Sequence, residues 1–218
     1  MQEVLKRFIL FLVNVQSLTM EQYKNGSKVG IWNDCYENQY FGGGLYDEQG
    51  IKTGRWVDLN VQFNCNYEVT YNGVYKNGLK VGQWNVFFNK EQICQGSYDQ
   101  YGLKTGKWID IFDAFNEYNG NQFSREYLVT YNGEYKNGQK FGKWGINYRQ
   151  QNKTWEQIGG GFYDDDGLKN CKWMDLENSF QYVNIVTYSG EYKNGNKIGR
   201  WNVYQNGEPK NEVIQYEQ

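Results

Sequence analysis

The side chains best equipped for chemistry here are lysine, tyrosine, tryptophan and aspartate, and they recur at fixed spacings. YNGVYKNGLKVGQW (71–84), YNGEYKNGQKFGKW (131–144) and YSGEYKNGNKIGRW (188–201) repeat one phrase, and YKNGSKVGIW (23–32) is a partial copy. Such a set suits contact with a partner, because aromatic residues dominate binding hot spots. The candidate contact residues are Tyr71, Tyr75, Trp84, Tyr131, Tyr135, Trp144, Tyr188, Tyr192 and Trp201, with Lys76, Lys136 and Lys193 as turn cations. Competing with that reading, the rings suit the core of a repeat and the turn lysines suit solvated loop tips.

Catalysis has less to work with. The chain has no histidine, so the commonest general base is missing. Gly42-Gly43-Gly44 and Gly159-Gly160-Gly161 lead into hairpins and do not follow the G-x-G-x-x-G spacing of a dinucleotide fingerprint. Asp164-Asp165-Asp166 is the most metal-like cluster, yet it lacks the alternating carboxylates of a calcium loop. It also occupies the turn that YDEQG and YDQYG occupy elsewhere. The four cysteines, at 35, 65, 94 and 171, include no C-x-x-C pair for zinc. They read as reduced thiols in a β core, with a disulfide open if the chain is secreted. No catalytic residue, metal, cofactor or small-molecule substrate is expected. The aspartates of the recurring W-x-D (Asp58, Asp110, Asp175) are expected to face solvent or the lysines.

The elements that position these residues follow from the repeat. Two unit types alternate. In G-x-Y-K-N-G-x-K-x-G-x-W the tyrosines are Tyr23, Tyr75, Tyr135 and Tyr192. In Y-D-x-x-G-x-K-x-G-x-W they are Tyr46, Tyr98 and Tyr163. Repeats come before any other reading, because missing them miscalls the fold. Asn-Gly between alternating stretches is the strongest short-range hairpin signal, since both turn residues need positive φ. Asp-x-x-Gly fits a type I turn closed by a left-handed glycine. A two-residue loop at Asn77-Gly78 predicts Tyr75 opposite Lys80, Gly73 opposite Gly82 and Tyr71 opposite Trp84, all on one face. The facing glycines leave a notch for a flat ring, and the Lys80 stem rests on Tyr75 with its ammonium in water.

One hairpin cannot bury such a face alone; stacked hairpins cover one another and need caps. The expected fold is all-β: an elongated single-layer sheet or shallow β-solenoid of about seven hairpins. At roughly 10 Å per hairpin it would be about 70 Å long. The repeat array spans 20–205 and a C-terminal tail spans 206–218. Residues 1–19 hold the apolar run FILFLV, which reads as a retained cap, as a signal-like segment, or as a short membrane stretch. With 18% aromatic residues the chain is not of a disordered composition. Its formal charge of −2 argues against nucleic acid as the main partner.

The unit YNGEYKNGQKFGKW resembles the MORN repeat, Y-x-G-x-x-x-x-G-x-x-x-G-x-G, with Gly133, Gly138 and Gly142 at its glycine places. Trp144 stands where that pattern ends in glycine, and the G-x-W ending is closer to the MORN-variant repeats. Glu21 replaces the notch glycine of the first unit and Cys171 the late glycine of the sixth, so the array is expected to bend, cap or misfit there. The resemblance implies a non-catalytic, MORN-like scaffold that binds a protein partner or itself, in the cytoplasm, at the cytoskeleton or membrane cortex. Two alternatives stand beside it: association with an acidic phospholipid surface through the lysines, and a secreted glycan-binding array if residues 1–17 are a signal peptide.

Overall fold

The computed structural model describes residues 22–36, 39–60, 68–112, 127–150, 153–178 and 184–217; the N-terminal 1–19 segment and Cys65 lie outside them. The described residues contain strands and turns but no helix. Fifteen antiparallel strands form one open sheet in strictly sequential order. They are β1 (Gln22–Lys24), β2 (Ser27–Tyr36), β3 (Gln39–Tyr46), β4 (Lys52–Leu59), β5 (Val69–Lys76), β6 (Leu79–Phe88), β7 (Glu91–Tyr98), β8 (Lys104–Ile111), β9 (Tyr127–Lys136), β10 (Gln139–Gln150), β11 (Glu156–Tyr163), β12 (Lys169–Leu176), β13 (Val186–Lys193), β14 (Asn196–Gln205) and β15 (Glu208–Tyr216). The expected all-β hairpin array is therefore the observed architecture. Residues 208–216, set apart by sequence as a tail, form the last strand and pair with β14.

The contacts divide the chain into two compact units, one built on β1–β6 with the Tyr98–Gly102 turn, the other on Cys94–Ser97 and everything from Leu103 onward. In both, the turns follow their sequence signals. Asn25, Asn77, Asn137 and Asn194 have φ of 50–52°, and the glycines after them 77–81°, which is the two-residue hairpin loop. In the Asp-type turns the first carboxylate closes the loop: Asp47 Oδ1 accepts the Gln49 and Ile51 amides at 2.9 Å. Asp164 Oδ1 does the same for Asp166 and Leu168. The aspartate triplet is thus a turn, with Asp164 engaged by backbone and Asp165 and Asp166 exposed.

The register departs from expectation at one place in the hairpins of Gly73, Gly133 and Gly190. Tyr75 does pair with Lys80, but Tyr71 lies opposite Val86 and Asn72 opposite Asn85, because β6 carries two extra residues across from Gly73. The same slip occurs between β9 and β10 and between β13 and β14. Its cause is the late glycine: Gly82, Gly142 and Gly199 sit at φ of 63–67°, and a left-handed residue bulges its strand. The bulge swings the tryptophan back over the opposite strand. A Cβ built on Gly73 would stand 2.2 Å from Trp84, one on Gly133 2.2 Å from Trp144, and one on Gly190 2.3 Å from Trp201. The glycine notch exists, and it is the unit's own tryptophan that fills it. The indole N–H of Trp144 donates to Phe141 O at 3.1 Å and that of Trp201 to Ile198 O at 3.2 Å, which fixes the folded-back ring.

Strand alternation gives the sheet an inner and an outer face. Tryptophan, tyrosine and apolar residues such as Val86, Ile146 and Val203 line the inner face and are buried. The residues beside them in sequence point outward.

Candidate functional site

On the inner face the rings interlock edge to face. In the first unit Tyr75 meets Trp56 at 5.8 Å and Trp84 at 5.3 Å between centroids. In the second, Tyr192 meets Trp173 at 6.1 Å and Trp201 at 5.2 Å. T-shaped pairs each contribute about 0.5–1.5 kcal/mol beyond the area they bury. A lysine ammonium lies over each ring row: Lys80 Nζ is 4.2 Å from the Trp84 centroid and Lys197 Nζ 4.2 Å from that of Trp201.

Those ammoniums are also countered by carboxylates. In the first unit Asp58 accepts from three donors: Lys52 at 2.7 Å, Lys80 at 2.8 Å and the Tyr75 hydroxyl at 2.7 Å. The second unit repeats the arrangement twice. Asp110 binds Lys104 at 2.5 Å, Lys140 at 3.4 Å and Tyr135 at 2.6 Å. Asp175 binds Lys169 at 2.5 Å, Lys197 at 3.4 Å and Tyr192 at 2.6 Å. The aspartate thus faces the lysines, and the Lys80 side chain, still partly exposed, gains a carboxylate partner that the hairpin alone does not reveal. A cation pressed against buried rings needs a counter-charge, and the W-x-D carboxylate supplies it.

The electrostatics follow. Burial by itself would raise the Asp58 and Asp110 carboxyls, but the lysine and tyrosine donors outweigh it and hold both below the ordinary aspartate value. The tyrosines respond in the opposite sense: burial and the neighbouring carboxylate push the Tyr75 and Tyr192 hydroxyls well above the usual phenol, so they remain donors. Burial also lowers Lys140, although Asp110 opposes it. Cys94 is buried, donates to Ile109 O at 3.5 Å, and burial pushes its thiol up to about 11, which makes it an unreactive side chain.

Of the sequence-selected residues, Tyr75, Trp84, Tyr135, Trp144, Tyr192 and Trp201 are buried in this inner face. Tyr71, Tyr131 and Tyr188 are half-buried; Lys80, Lys140 and Lys197 lie over their rings at 5.1–5.5 Å. Lys76, Lys136 and Lys193 are exposed at the turns and belong to no such cluster. The box residues Lys52, Lys104 and Lys169 were not among the candidates, though each precedes its aspartate by six residues across the bulge. That K-x-G-x-W-x-D spacing was the available signal.

The outer face differs between the units. In the first, Ile31, Leu45 and Val74 are exposed at 64, 41 and 40%, on strands where Ile31 pairs with Leu45 and Val74 with Arg55. In the second, Lys143 lies opposite the exposed Phe162, and Lys107 and Lys172 lie opposite Glu134 and Glu191. Among the described residues no group of three histidine, cysteine or acidic side chains could hold a metal ion. No protein-family model matches the sequence, and no curated protein matches it.

Proposed function

We propose that this chain is a non-catalytic, MORN-like binding array: its inner face is a closed core and its outer face receives a protein partner or a second copy. The observation that carries the reading is the set of exposed apolar side chains on the outer face, Ile31 beside Leu45 and Val74 beyond Arg55, backed by an interlocked inner face. On a protein of this polarity, apolar side chains gathered on one face mark a contact surface. Every lysine, aspartate and tyrosine in the three boxes is committed to another member of its box, so none is poised as a base or nucleophile. The closing tryptophans are buried at 7% exposure or less, which favours a protein over a glycan, because a sugar needs an open ring to stack on.

The test compares the wild-type chain with a variant carrying Ile31→Ser, Leu45→Ser and Val74→Ser, by light scattering and by recovery of bound protein on immobilised chain. Self-association or a stoichiometric partner seen with the wild type and lost in the variant is the expected result. A monomer in both, with identical recoveries, contradicts the proposal.

A further inference from the structure

The second unit carries four outward cations at the same place of the repeat: Lys107 on β8, Lys143 on β10, Lys172 on β12 and Arg200 on β14. Each precedes a buried tryptophan (Trp108, Trp144, Trp173, Trp201), so alternation turns each away from the inner face. All four are exposed. None makes an ion pair among the described residues; the Arg200 guanidinium donates only to Asn202 Oδ1, at 3.2 Å. The corresponding residues of the first unit are Ile31, Arg55 and Gln83, so the row is a property of the second unit alone. Between the cations, Lys107 pairs across the ladder with Glu134 and Lys172 with Glu191. At the β12–β14 end of this face lies an open groove of ≈ 590 Å³, lined in part by Lys172, Glu191 and Arg200.

We infer that this row docks an extended acidic protein segment, in the polyproline II conformation, with a carboxylate at every third position. The inference rests on the binding-array reading and names the chemistry of one partner. The cations stand on alternate strands, about 9.6 Å apart. A polyproline II chain turns once in three residues and rises about 9.3 Å in doing so, so carboxylates three residues apart share one side at nearly the spacing of the cations. Four cations span about 29 Å, which ten such residues cover. A β-strand partner would send every third side chain to its far face. The interleaved Glu134 and Glu191 repel a uniformly anionic surface but not a chain whose charges fall only at the cations, which distinguishes this partner from a lipid headgroup layer.

The probe is a fluorescent twelve-residue peptide of four Glu-Pro-Pro repeats. The control has the same composition, with its four glutamates contiguous at one end. Fluorescence anisotropy with the full chain is expected to show the repeat peptide binding more tightly than the control. A variant with Lys143→Glu, Lys172→Glu and Arg200→Glu is expected to lose binding roughly tenfold or more, and Arg55→Glu in the first unit to change nothing. Equal binding of the two peptides, no binding of either, or an equal loss in Arg55→Glu overturns the inference. So does capture of the chain by phosphatidylserine-containing vesicles without peptide binding. If the peptide arms fail while the wild type still self-associates through Ile31, Leu45 and Val74, the binding-array reading stands and only the basic row falls.

Discussion

Lys169 and Lys172 lie three residues apart on one strand and have opposite fates. Lys169 turns inward, lies 4.4 Å from the centre of the Trp173 ring, and is neutralised by Asp175 at 2.5 Å. Lys172 turns outward, exposed and without an ion pair among the described residues. The difference teaches how the array divides its labour. A cation used to cover an aromatic core must be countered, since burying an unpaired charge is prohibitive. A cation left in water needs no partner in the chain and stays available to one outside it. The same comparison holds between Lys140, which faces Asp110, and Lys143, which is exposed.

The sharpest break of the inner face is a side chain in the notch. Gly133→Val places a Cβ within 2.2 Å of the Trp144 ring, and overpacking of a fixed core costs about 3 kcal/mol or more. Denaturant unfolding should show that loss or an unfolded hairpin. Next comes the counter-charge. Asp175→Ala strands Lys169, Lys197 and the Tyr192 hydroxyl, and is expected to destabilise by about 2–3 kcal/mol, the partial exposure of the lysines reducing the cost of a broken buried pair. Acid should reproduce part of this. The folded carboxyls of Asp58 and Asp110 lie below their ordinary value, so their contribution is complete above about pH 4. It is lost as pH falls through the folded values, and a thermal-melt series below pH 4 follows it.

A smaller effect of opposite sign is expected at Cys171. Every other late glycine adopts positive φ without strain, whereas Cys171 holds φ of 62° with a side chain. Cys171→Gly should stabilise by about 1 kcal/mol, the usual cost of left-handed backbone outside glycine. Smallest of all, Lys172→Gln with Arg200→Gln should leave stability within about 0.5 kcal/mol of wild type, because outward cations contribute no packing.

Much of this was legible in the chain. Asn77-Gly78 and Asp47 announce their turns because only certain residues tolerate those backbone angles, and Tyr75 opposite Lys80 follows from the turn alone. The slip opposite Gly73 was not legible by counting from the turn. It depends on Gly82 adopting positive φ, and alternation assumes an unbroken pleat. Counting without the slip places Trp84 opposite Tyr71, although the notch itself follows from the glycines. The lysine boxes were half-read for a similar reason. Asp58 meets Lys80 across β5 only after β4 and β6 are placed on either side of it, so no spacing within one hairpin reveals the pair.

The most direct test of the two-face account is the reactivity of individual lysines in the native protein, read by brief amine acetylation and peptide mass spectrometry. Lys107, Lys143 and Lys172 should modify several-fold faster than Lys52, Lys80, Lys104, Lys169 and Lys197. Asp175→Ala should release Lys169 and Lys197 alone. A uniform profile across both sets would contradict the division into a countered inner face and an open outer one.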